Sequence, residues 1–199
     1  MTGWNIADVL EVVAAQVPGS PAVIQGGRVV TWRELDQRAG RVAACLLTAG
    51  LPRHSSVAQY LRNSPEYIES LYACLKASLV PVNTNYRYGS DELVYLWDNA
   101  DVRAVVFHGE FSAQIELIRG RLPEIRSWLW VDDDTGPCPG WAVSYEEAAA
   151  GTGEGPGPRL PPGPDQEERQ QRSGDDLLLL YTGGTTGMPK GVMWRQDDL

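Results

Sequence analysis

Long apolar runs, paired cysteines and an excess of positive charge are all missing from this chain, and each absence removes a class of protein. No stretch is long and apolar enough to span a bilayer, so no transmembrane segment is expected. The opening residues, Met1-Thr2-Gly3-Trp4-Asn5-Ile6-Ala7-Asp8, carry neither the basic region nor the apolar run of a signal peptide. Three cysteines, Cys45, Cys74 and Cys138, are odd in number and widely spaced. They offer no disulfide framework and no metal-ligand pair, which points to a reducing cytosol and a cytoplasmic protein. Lysine and arginine number 17 against 26 aspartates and glutamates, and the net charge of −9 argues against nucleic acid or an anionic membrane as the main partner. His54 and His108 lie far apart, with no cysteine or carboxylate at ligand spacing, so each reads as a surface or packing residue. No internal repeat is present.

What remains is the composition of a globular chain, 43% hydrophobic and 22% charged over 199 residues. A first helix is expected around Ile6–Gln16. Ala22-Val23-Ile24 and Val29-Val30 flank Gln25-Gly26-Gly27-Arg28 as a hairpin. Thr31-Trp32-Arg33-Glu34 fits a capping box, with Leu35, Val42 and Leu46 at helical spacing and Gly50 past the helix end. Residues 57–61 read as a strand. Ser64-Pro65-Glu66 starts a helix whose buried stripe would be Ile68, Leu71, Tyr72 and Leu75, and Leu79-Val80-Pro81-Val82 follows as a strand. Further on come a helix over Ser90–Asn99 burying Leu93, Leu96 and Trp97, strands at 104–107 and 128–131, and a helix through 114–121. This alternation predicts an α/β fold with a mainly parallel, doubly wound sheet and flanking helices. Cys45 and Cys74 read as small core residues, Tyr86, Tyr88, Tyr95 and Trp97 as packing, and Asp132-Asp133-Asp134 as a solvated turn.

The character changes at Gly151. Ten of the fourteen residues from 151 to 164 are glycine or proline, and a charged stretch runs to Asp176. Such a composition buries too little apolar surface to order itself and reads as a connector. The unbroken run Leu177-Leu178-Leu179-Leu180-Tyr181 then suits a central strand covered on both faces. Three units are therefore expected: an N-terminal α/β subdomain over 1–150, a linker over 151–176, and a strand–loop–strand over 177–199 that opens the next subdomain.

That loop carries the chemistry. Gly183, Gly184 and Gly187 leave no side chain in a ligand's way, Thr182, Thr185 and Thr186 add hydroxyl donors, and Lys190 adds a compact cation. Donors, space and one positive charge at the end of a strand suit a polyphosphate. The common nucleotide loop places Ser or Thr after its Gly-Lys and then a helix. Here Lys190 stands between Pro189 and Gly191, and Val192-Met193-Trp194 reads as a strand.

The segment from Leu178 to Val192 resembles the signature of the adenylate-forming (AMP-binding) enzymes, the superfamily of acyl-CoA synthetases, luciferases and peptide-synthetase adenylation domains. Two earlier elements match in order. Thr31-Trp32-Arg33-Glu34-Leu35 resembles Thr-Tyr-x-Glu-Leu, and Leu75-Lys76-Ala77-Ser78-Leu79-Val80-Pro81-Val82-Asn83 resembles a slightly longer Leu-Lys-Ala-Gly…Pro-Val-Asn element. Both read as structural, a helix cap and a core helix leading into a strand. Two positions depart from the pattern: Ser78 stands where glycine is usual, and Gly183 where serine or threonine is usual. Gly183-Gly184 with Met193-Trp194-Arg195 is most similar to the bacterial fatty-acid and steroid-CoA ligase branch.

The resemblance implies the N-terminal portion of an adenylate-forming fold. The activity it implies is ATP- and magnesium-dependent activation of a fatty or steroid side-chain acid, followed by transfer to CoA. Thr182, Gly183, Gly184, Thr185, Thr186, Gly187 and Lys190 would hold the β- and γ-phosphates. Catalytic and metal-binding residues are expected downstream of Leu199, in the C-terminal part of the enzyme, and the isolated chain is expected to be inactive. Two alternatives stand beside this reading. One is a truncated nucleotide- or partner-binding module without catalysis. The other is a P-loop nucleotidase, which requires a helix after Lys190.

Overall fold

The computed structural model describes residues 5–150, 172–182 and 188–199. Helix α1 (Ile6–Gln16) precedes a hairpin of β1 (Pro21–Gln25) and β2 (Arg28–Thr31), which forms its own two-stranded sheet. There follow α2 (Trp32–Thr48), β3 (Ser56–Tyr60), α3 (Pro65–Lys76), β4 (Val80–Asn83), α4 (Ser90–Asn99), β5 (Val102–His108) and α5 (Ser112–Ile118). After a 3-10 turn at Arg119–Arg121 come β6 (Ser127–Val131), β7 (Val143–Ser144) and α6 (Tyr145–Ala150). The last elements are β8 (Leu177–Thr182), β9 (Lys190–Arg195) and a 3-10 turn at Gln196–Asp198.

One seven-stranded sheet, in the order β7-β6-β5-β3-β4-β8-β9, organises the body. Every neighbouring pair is parallel except β8 with β9. Alternate residues of each strand point to opposite faces. Val57, Ala104, Val106 and Leu129 therefore join α1, α2, α3 and α6 in one core, while Ala58, Val105, Phe107 and Trp128 join α4 and α5 in the other. This is the doubly wound α/β sheet that the alternation predicts.

Local chemistry sets several boundaries. The capping box at α2 is present: Glu34 N donates to Thr31 Oγ1 at 3.3 Å, and Thr31 N donates to Glu34 Oε2 at 2.8 Å. Gly50 takes φ 77°, the left-handed conformation that ends a helix with least strain. Ser78, where glycine is usual, is also left-handed at φ 50°, and its buried Oγ has no hydrogen-bond partner among the described residues.

Some expectations need correction. Ile68 is 39% exposed, and the buried stripe of α3 instead contains Glu69, Ser70 and Lys76. Arg38 reaches Glu69 at 2.8 Å, and Lys76 reaches Glu11 at 2.5 Å and Asp36 at 2.9 Å, so the buried charges are paired. Nor is β8 covered on both faces: only Tyr181 is buried, because β9 beside it is an edge strand with all six residues exposed. Cys45 is only partly buried, and Tyr86 and Tyr95 are exposed. β7 and α6 were not anticipated.

Most of the expected connector, residues 151–171, lies outside the described residues. Residues 172–176 are held to the body. Arg172 is buried, and its guanidinium donates to Lys76 O (3.1 Å), Asp8 Oδ1 (3.0 Å) and Glu11 Oε1 (3.0 Å). Asp176 accepts from Asn5 Nδ2 at 2.9 Å and from Ser173 N at 3.2 Å, and lies 3.0 Å from His54 Nε2.

Candidate functional site

In open α/β sheets, ligands bind beyond the carboxyl ends of the parallel strands. At that edge β8, parallel to β4, ends at Thr182, and the chain returns as β9 antiparallel to it, with Thr182 opposite Lys190. Both side chains are exposed. Cross-strand partners stand about 5 Å apart at Cβ, so a hydroxyl and an ammonium can approach the same phosphoryl group. The remaining loop positions assigned from sequence, Gly183, Gly184, Thr185, Thr186 and Gly187, lie outside the described residues. The donor and the cation at the loop's base fit a polyphosphate. The strand that follows Lys190 differs from the helix that a P-loop nucleotidase needs.

Tyr181, at the loop's entrance, is held on three sides. Its N–H donates to Asn83 Oδ1 at 2.6 Å, and Asn83 Nδ2 donates to its carbonyl oxygen at 2.9 Å. Its hydroxyl donates to Asn99 Oδ1 at 2.6 Å. Burial pushes the phenol's pKa up, with Tyr95 and Asp101 adding to the effect, which keeps it a neutral donor. Its ring lies against Gly191, where an added Cβ would come within 2.8 Å of Cζ. Sequence reasoning gave Asn83 no role at the loop. Its place at the end of the Pro-Val-Asn element was the available signal, but nothing local shows that it faces Tyr181.

The neighbouring strand ends carry polar groups with structural partners. His108 Nδ1 accepts Arg62 N–H at 3.0 Å, and burial lowers its pKa, which suits a neutral acceptor. Arg62 pairs with Glu110 and sits 4.6 Å from the centre of the Tyr86 ring. Asp133, in the acidic turn, accepts from Glu110 N at 2.9 Å. His54 is at the opposite, amino edge. Among the described residues, no three His, Cys, Asp or Glu side chains gather as a metal site. A groove of about 680 Å³ runs along one face of β8 and β9, from Arg53 and His54 to Tyr181 and Gly191. Neither Thr182 nor Lys190 lines it.

Both the sequence and the fold have known relatives. The sequence profile described as AMP-binding enzyme matches residues 10–199. Medium-chain acyl-CoA ligase Mig of Mycobacterium avium is 34% identical over 212 residues, covering 100% of this chain and 36% of that protein. The 3-oxocholest-4-en-26-oate–CoA ligase of Rhodococcus rhodochrous is 36% identical over 197 residues, covering 98% of this chain and 34% of that protein. Among solved structures, the anthranilate CoA ligase AuaEII in complex with anthranoyl-AMP superposes with a TM-score of 0.83 at 25% identity, covering 100% of this chain and 36% of that one. The apo structure of Mycobacterium smegmatis MbtA gives 0.77 at 26% identity, covering 98% and 34%. The chain thus spans about a third of the length of the relatives it matches.

Proposed function

The chain belongs to the AMP-binding enzyme family, and from that premise we propose that it is the N-terminal part of an ATP-dependent acyl-CoA synthetase. The acid it activates is a fatty acid or a steroid side-chain acid, the classes named by its relatives. In the first step the carboxylate attacks the α-phosphate of ATP and displaces pyrophosphate. In the second, the thiol of CoA attacks the acyl carbon of the adenylate and releases AMP.

The observation that carries this reading is the pairing of Thr182 with Lys190 at the carboxyl edge of the sheet. Between them runs a loop of glycines and threonines. Thr182 and Lys190 hold the β- and γ-phosphates, with Gly183, Gly184, Thr185, Thr186 and Gly187 adding backbone and hydroxyl donors. Their contribution is positioning and charge stabilisation, not covalent catalysis. Magnesium, bound with ATP, neutralises phosphate charge. The protein works in the cytoplasm.

The test uses the intact protein from its native source, whose mass is measured first. Acid-dependent exchange of pyrophosphate into ATP, and formation of a CoA thioester, are then assayed with medium-chain fatty acids and a steroid side-chain acid. Exchange with either class is expected. ATP turnover indifferent to every acid would overturn the reading. A polypeptide of 21.8 kDa that binds ATP without exchange would make the chain a nucleotide-binding module.

A further inference from the structure

We propose that Asn83 is a positioning residue for the phosphate-binding pair Thr182 and Lys190, holding Tyr181 so that the two stay in register. The proposal rests on the reading of that loop as the phosphate cradle. Hydrogen-bonded register between β4 and β8 is confined to Val82 with Leu179. One residue later the carboxamide of Asn83 replaces the missing ladder, donating to Tyr181 O and accepting from Tyr181 N as a neighbouring peptide group would. The anchor is itself fixed. Asn83 pairs with Gln59 of β3, and the next residue, Thr84, donates its N–H to Gln59 O at 3.1 Å. Its hydroxyl accepts from Trp97 Nε1 at 3.1 Å.

The connection therefore runs from the centre of the sheet, through one side chain, to the residue before the loop. Tyr181 passes the constraint to the other arm, since its ring meets Gly191, next to Lys190. Tyr181 is 5% exposed, so its N–H and C=O have little water to turn to when Asn83 is removed. Movement there displaces Thr182, and small misplacements of a positioning group cost binding steeply.

The experiment uses the intact protein and the variants Asn83→Ala and Asn83→Asp. Affinity for tripolyphosphate is measured calorimetrically, alongside KM for ATP, KM for the acid, and Tm. In Asn83→Ala, the Kd for tripolyphosphate and the KM for ATP are expected to rise about tenfold, with KM for the acid unchanged. A lower Tm with unchanged tripolyphosphate affinity would reduce Asn83 to a structural residue and overturn the proposal. Asn83→Asp supplies the second readout. A protonated aspartic acid reproduces the amide's donor and acceptor, whereas a carboxylate faces Tyr181 O with like charge. Its affinity relative to wild type should therefore recover only as pH falls into the ordinary aspartate range, from about pH 6 to about pH 4, and a flat ratio across that range overturns the proposal. Wild-type protein that binds tripolyphosphate but shows no acid-dependent exchange would sink the synthetase reading and leave the variants to decide this one. No tripolyphosphate binding by wild type would overturn both.

Discussion

Replacing Arg172 with methionine tests how the chain rejoins the body after residue 171. The guanidinium makes three hydrogen bonds, to Lys76 O, Asp8 Oδ1 and Glu11 Oε1, and the residue is 5% exposed. Removing one partner of a buried pair costs about 3–5 kcal/mol when the other is stranded. Neither acid is stranded here. Glu11 keeps Lys76 Nζ at 2.5 Å, and Asp8 keeps the N–H of Asn5 at 3.0 Å. What is lost is a set of charge-assisted bonds and the partner of one buried carbonyl, about 2–3 kcal/mol. For a chain of this length that lowers Tm by about 4–12 °C. Thermal unfolding followed by circular dichroism at pH 7 measures it, and a Tm within about 1 °C of wild type would refute the reasoning. The pH dependence gives a second check. Burial raises the pKa of Glu11, but Arg172 and Lys76 outweigh it and hold the carboxyl near about 2, below its ordinary 4.5. A depressed carboxylate pKa contributes stability that is complete above the unfolded value and lost as pH falls through the folded one. Wild type therefore loses stability between about pH 4.5 and about pH 2, and Arg172→Met should lose less over that window.

Other substitutions read the site directly. Lys190→Ala removes an exposed cation, so it should lower acid-dependent ATP use about 100-fold with Tm unchanged; undiminished adenylate formation would sink the cradle assignment. Gly191→Ala places a methyl group against a Tyr181 ring that cannot retreat while its hydroxyl is held by Asn99. The overpacking costs about 1–3 kcal/mol, seen as a lower Tm and weaker tripolyphosphate binding, and wild-type values for both would show that β9 yields freely. Ser78→Gly relieves a left-handed serine at φ 50° and removes a buried hydroxyl that has no partner among the described residues. The residue that suits this backbone should raise Tm by about 2–4 °C, and a fall in Tm would mean that the strain is not there.

Much of this protein was legible from the chain alone, where the deciding interactions are local. The bounds of α1 and α4, the Thr31–Glu34 cap, the glycine after α2 and the presence of a strand on either side of residues 183–187 depend on residues a few positions apart. Hydrophobic periodicity then implied a doubly wound sheet. The register that sets Thr182 opposite Lys190 came only with the folded strands, because β9 begins at Lys190 rather than at Val192. Where burial depended on a distant partner, local pattern failed. Ile68 faces outward while Glu69 and Lys76 go inward, because Arg38, Glu11 and Asp36 arrive from other helices to neutralise them. The grip of Asn83 on Tyr181 joins residues 98 positions apart. Propensity and periodicity describe a residue's own turn or strand; only the folded sheet decides which strand ends meet, and that meeting sets Asn83 against Tyr181.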